Sequence, residues 1–107
     1  MTIAYGRGVT FDVSEFTGFD WDAGNQAKSV AKHAVTPAEA EQVFLNQPLL
    51  VQADAKHSQT ERRMCAWGQT TAGRLLAVVF TQRADKIRVI SVRPMSRKER
   101  TVYAQQS

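Results

Sequence analysis

Lys32 and His33 stand side by side, Arg63 precedes the run Met64-Cys65-Ala66-Trp67, and Arg93 closes the run Ile87-Arg88-Val89-Ile90-Ser91-Val92-Arg93. An imidazole titrates near neutrality and can take or give a proton at ordinary pH. Arginine's planar fork meets two phosphate oxygens at once and stays charged at any working pH, which makes it a better clamp than lysine. These residue types suit cleavage of RNA by its own 2′-hydroxyl. That reaction needs a base for the hydroxyl, an acid for the leaving oxygen and cations for the charge developing on the phosphoryl group. Arg63 and Arg93 are the candidate anion clamps, with His33, Lys32 and Tyr103 as candidates for proton transfer.

Each of these residues also has a structural reading. Lys32-His33 closes a helical pattern, where cations meet the negative pole of the helix dipole. Arginines at strand ends also pair with surface carboxylates. Tyr103, one turn beyond Glu99, could donate a proton or stack on a base, but a tyrosine at that helical spacing is more often a core anchor. Trp21 and Trp67 read as core residues. Cys65 is the single cysteine, so no disulfide can form within the chain, and it reads as a small buried hydrophobe in a strand. No G-x-S-x-G elbow, Walker loop or H-E-x-x-H pair occurs, and His33 and His57 are the two imidazoles. Neither a metal nor a cofactor is therefore expected.

The net charge of +4 conceals a split. Residues 1–61 hold four basic and eight acidic residues, whereas residues 62–107 hold ten basic and two acidic ones. A net of +8 on the second half is the footprint of a polyanion site or of an acidic protein partner. Lys28, His57, Arg88, Arg97 and Arg100 are the further candidates for RNA contacts. No recognition helix with suitably spaced base-reading side chains stands out, which disfavours a protein that reads DNA by itself.

These side chains must be positioned by one domain, since 107 residues make a single core of ordinary size. The longest apolar run, residues 75–80, is too short to span a bilayer, and the N-terminus lacks the apolar stretch of a secretory signal. A soluble cytoplasmic protein without membrane contact is expected. Residues 9–13 alternate and suggest a short edge strand, with Gly6, Gly8 and Gly18 as breakers. From Asp22, the spacing of Ala23, Ala27, Val30 and Ala34 predicts a helix, with Asn25, Lys28 and Lys32 on another of its faces. Thr36-Pro37-Ala38-Glu39 combines a capping box with a helix-initiating proline, and Asn46-Gln47-Pro48 stops that second helix. Residues 49–52 suggest a short strand. Residues 62–68, 74–81 and 86–93 then read as three strands joined by tight turns, the middle one apolar on both faces and hence central. Ser96-Arg97-Lys98-Glu99 is a second capping box and starts a C-terminal helix. The expected fold is α+β: two N-terminal helices, an antiparallel meander and a C-terminal helix.

The motifs Phe19-Asp20-Trp21-Asp22, Lys32-His33-Ala34-Val35, Glu39-Ala40-Glu41, Asp54 with His57-Ser58, Arg63 five residues before Gly68, Gly73-Arg74-Leu75-Leu76, and residues 87–93 followed by Ser96, Glu99-Arg100 and Tyr103 resemble the BrnT toxins. The resemblance spans about residues 19–104 and leaves 1–18 as an N-terminal extension. It implies a RelE-like fold and a ribonuclease activity that halts translation. It also implies neutralisation by a BrnA antitoxin with a ribbon-helix-helix DNA-binding domain, in a heterotetramer that reaches operator DNA through the antitoxin. Three positions depart from the pattern. Asn25 and Ser29 replace a usual lysine and asparagine, and Ala34 replaces the glycine usual after Lys-His. Lys28 lies on the same helical face as Asn25 and can supply the missing charge. A catalytically idle module that grips an acidic antitoxin segment or nucleic acid phosphates is the alternative.

Overall fold

A computed structural model of the chain describes residues 3–4, 12–22, 24, 28, 30, 32–54 and 62–106. Its strands are β1 (Ile3–Ala4), β2 (Gly18–Trp21), β3 (Leu50–Ala53), β4 (Met64–Gln69), β5 (Leu75–Arg83) and β6 (Lys86–Pro94); its bounded helices are α1 (Pro37–Leu45) and α2 (Arg97–Gln106). The six strands form one sheet in the order β1-β3-β4-β5-β6-β2. Strands β3 to β6 are an antiparallel meander, and the edge strands β1 and β2 run parallel to β3 and β6.

Strand β5 is central and apolar on both faces because a helix covers each face. Leu76, Val78 and Phe80 join Ala40, Val43 and Phe44 of α1 in the larger core. On the opposite face Leu75 and Ala77 pack with Val102 and Tyr103 of α2, together with Leu50, Trp67 and Met95. Phe44 meets Phe80 edge-on at 5.0 Å between ring centroids and Phe19 at 5.6 Å. Gly68 is required where α1 crosses β4: a Cβ there would stand 2.7 Å from Val43 Cγ1 and 3.1 Å from its carbonyl oxygen.

Both capping boxes form. Thr36 Oγ1 accepts from Glu39 N at 3.2 Å while Glu39 Oε1 accepts from Thr36 N at 3.0 Å. Ser96 and Glu99 make the same reciprocal pair at the start of α2.

The expected pair of N-terminal helices is corrected. Among the described residues the bounded helix Pro37–Leu45 lies mid-chain, and the elements before it are β1, a 3-10 turn at Val13–Glu15 and β2. Gly24, Lys28, Val30, Lys32 and His33 have helical backbone, and the residues between Gly24 and Lys32 other than Lys28 and Val30 lie outside the described residues. Val30, counted as part of an apolar face, is 46% exposed, so tertiary burial does not reinforce the periodicity there. Of the edge strand expected at 9–13, the described residues Asp12 and Val13 are not strand. Residues 9–11 lie outside the described residues, and Asp12 caps the 3-10 turn through its side chain, which accepts from Ser14 N. A strand begins at Gly18, read from sequence as a breaker. It forms because Phe19 and Trp21 pack on the larger core and Arg88 of β6 pairs with Asp20 at 3.0 Å. Among the described residues no helix is long and apolar enough to cross a membrane.

Candidate active site at the open edge of the last strand

Strand β2 pairs with β6 only along residues 86–89, so from residue 90 onward that edge of β6 carries no strand among the described residues. A bulge falls at the same place. Phe80 faces Val89 and Val79 faces Ser91, leaving Ile90 without a counterpart on β5. Bulges bend a strand and re-aim its side chains, and they recur beside functional sites. Here a cleft of about 190 Å³ opens, lined by Lys28, Lys32, His33, Ile90, Ser91, Val92 and Arg93. The segment carrying Lys28, Lys32 and His33 thus lies along the free part of β6.

The register settles which face the strand side chains share. Trp67 faces Ala77, which faces Arg93, and Cys65 faces Val79, which faces Ser91. Extending the pairing one step places Arg63 opposite Thr81, which pairs with Arg88. Arg63, Cys65, Trp67, Ser91 and Arg93 therefore belong to one face of the sheet. Arg63 and Arg93 nonetheless sit two strands and about four residues apart, roughly 16 Å between backbones from strand spacing and rise. Arg93 lines the cleft and Arg63 does not.

Arg93 makes a forked pair with Glu99, Nη1 to Oε1 at 2.6 Å and Nη2 to Oε2 at 2.7 Å, and Nη1 also donates to the Pro94 carbonyl. Those hydrogen bonds hold the Glu99 carboxyl below its ordinary range, against burial acting the other way, and raise Arg93 further. The half-exposed guanidinium is thereby fixed in direction and partly neutralised.

Tyr103 is 4% exposed in the smaller core, its hydroxyl donates to the Pro48 carbonyl, and it does not line the cleft. Arg88 is engaged by Asp20 at 3.0 Å and Asp22 at 3.7 Å, so it fastens β2 to β6 instead of presenting a free cation. Arg97 and Arg100 are exposed on the first turn of α2, Arg100 donating to the Met95 carbonyl. His57 lies outside the described residues. Burial pushes the Cys65 thiol up to about 11, so it stays protonated near neutrality and fits a packing role.

Two features escape a local reading of the sequence. Glu99 serves both as the capping residue of α2 and as the partner of Arg93, and only its capping pattern is visible in the chain. Arg74 reaches from the β4–β5 turn to the carbonyls of His33 at 2.8 Å and Ala34 at 2.9 Å, with Glu39 Oε2 at 3.4 Å. Its place in a Gly-Arg-Leu-Leu motif is the one signal it carries.

Residues 21–99 match the family model described as "Ribonuclease toxin, BrnT, of type II toxin-antitoxin system". The chain belongs to the BrnT family. The matched span holds every residue of the cleft and both partners of the Arg93–Glu99 pair. The crystal structure of the Brucella abortus ribonuclease toxin BrnT is similar to this chain with a TM-score of 0.56 and 22% identity, covering 75% of this chain and 97% of that one. That likeness shows a shared BrnT fold. No curated protein matches the chain.

Proposed function

We propose that the chain is a metal-independent endoribonuclease, the toxin of a toxin–antitoxin pair, which inhibits translation by cutting RNA through attack of the ribose 2′-hydroxyl. The observation that carries this reading is the single cleft shared by Lys28, Lys32, His33, Ser91 and Arg93, drawn from two segments some sixty residues apart. In the reaction the 2′-oxygen attacks the adjacent phosphorus and the bond from phosphorus to the 5′-oxygen breaks. One proton leaves the 2′-hydroxyl and another reaches the departing 5′-oxygen. His33 is assigned to proton transfer, and Lys28, Lys32 and Arg93 to the negative charge on the phosphoryl oxygens. Arg63, on the same face but outside the cleft, together with Arg97 and Arg100, holds flanking RNA. Tyr103 and Arg88 keep structural roles.

The partner in this reading is a BrnA-like ribbon-helix-helix antitoxin, which forms a heterotetramer with the toxin and carries the operator contacts. One observation favours the alternative of an idle binding module: the fork of Arg93 is already occupied by Glu99. Purified protein incubated with RNA in EDTA distinguishes the two. The ribonuclease reading expects fragments ending in a 2′,3′-cyclic phosphate and a 5′-hydroxyl, with a 2′-deoxy substitution at the cut site blocking cleavage. Intact RNA, cleavage that requires added divalent metal, or fragments with 3′-hydroxyl ends contradict it.

A further inference from the structure

Arg74 lies outside the cleft, yet it holds the backbone of a residue inside it. Its nitrogen donates to Thr70 Oγ1 at 3.0 Å, Thr70 N donates to the Arg74 carbonyl at 2.9 Å, and Gly73 N donates to the Thr70 carbonyl at 2.9 Å. Thr70 is buried, so the base of the arginine is fixed to the sheet. From there the guanidinium splits its donors, Nη2 to the His33 carbonyl and Nη1 to the Ala34 carbonyl. These are the end carbonyls of the helical segment bearing Lys32 and His33, groups that no further helical turn satisfies. Glu39 Oε2 braces the fork while Glu39 Oε1 caps α1. Leu76 pairs with Pro94, and Met95 N donates to the Leu75 carbonyl, so Arg74 and Arg93 leave the sheet at the same corner.

We infer that Arg74 is a positioning residue of the cleavage reaction: by clamping the carbonyls of residues 33 and 34 to the start of β5, it sets the distance of the His33 side chain from Arg93. This inference deepens the ribonuclease reading and rests on it. The planar fork presents two donors in fixed directions to the two carbonyls, whereas a lysine ammonium is a shorter, unoriented point charge, so lysine is a poor substitute. A small displacement of a proton-transfer group costs turnover far more than binding.

The test compares Arg74→Lys, Arg74→Ala and Gly68→Ala with the parent chain in steady-state cleavage, and follows the ring signals of the two histidines by NMR. Arg74→Lys and Arg74→Ala are expected to lower kcat about tenfold or more, with KM within about threefold. Gly68→Ala strains the crossing of α1 on β4 outside the cleft and is expected to leave kcat within about twofold even where its thermal stability falls. The His33 signal should move in the Arg74 variants while the His57 signal stays. An unchanged kcat in Arg74→Lys, an unmoved His33 signal in both Arg74 variants, or a kcat that follows thermal stability across all three variants overturns the inference. If the parent chain itself leaves RNA intact, the ribonuclease reading fails separately, and the His33 signal alone decides whether Arg74 sets that residue.

Discussion

Ala34 follows His33 in a left-handed conformation, φ 53°, with its nitrogen donating to the Val30 carbonyl at 3.0 Å. A Cβ is unfavourable there and glycine is not, which gives a physical reason for the glycine usual at this place in BrnT chains. Ala34→Gly is expected to raise stability by about 1 kcal/mol, seen as a Tm several degrees higher by calorimetry. A lower Tm would show that the turn is not strained. Lys32, His33 and Arg93 stand out in the sequence as candidates one by one, and one cleft gathers them. Their surroundings were not legible. Arg93 finds Glu99 six residues on, Arg88 finds Asp20 sixty-eight residues back, and Arg74 finds His33 across forty-one residues. No periodicity encodes such contacts, so from sequence Arg88 reads as a candidate RNA contact and Arg74 only as one residue of a family motif. The helical spacing of Tyr103 already reads more as an anchor than as a proton donor or base stacker, and its burial and bond to the Pro48 carbonyl fit the anchor.

Helix α2 depends on Glu99 twice, for its cap and for the pair that ties it to β6. The Glu99 carboxyl is held below its ordinary range chiefly by Arg93, so this stabilisation is fully present above the unfolded carboxylate value near 4.3 and is lost as pH falls through the lower folded value. Glu99→Gln can keep the cap but removes the charge, and it is expected to flatten the fall in Tm as pH drops below the ordinary carboxylate range. A fall as steep as in the parent would assign the acid sensitivity elsewhere. At the crossing of α1 on β4, Gly68→Ala forces a methyl group against the Val43 side chain and carbonyl, with an expected cost of about 1–3 kcal/mol in denaturant unfolding. An unchanged midpoint would mean that the helix slides without penalty. Elements with their own local signals were read well: α1 and α2 from capping boxes, and β4 to β6 from alternation and turns. Strand β2 was missed because its four residues owe their conformation to pairing with β6 and to the packing of Phe19 and Trp21. Information of that kind sits in the partner, not in the segment.

At the scale of the molecule, the sheet carries a helix on each face, its last strand is paired along only part of that edge among the described residues, and the cleft lies there. The charge split along the chain is misleading in one respect. Residues 1–61 contain only four basic residues, yet two of them, Lys28 and Lys32, fold against the basic half beside Arg93. Convergence of these separated segments is the central claim, and a double-mutant cycle on cleavage rates tests it most directly. His33→Ala, Arg93→Ala and the double variant are compared with the parent in single-turnover cleavage of one RNA. If His33 and Arg93 act on the same phosphate, each single change should cost about a hundredfold or more, and the double change should cost little beyond the worse single one. Losses that simply multiply, or single variants that cut as fast as the parent, would show that the two residues do not share one reaction.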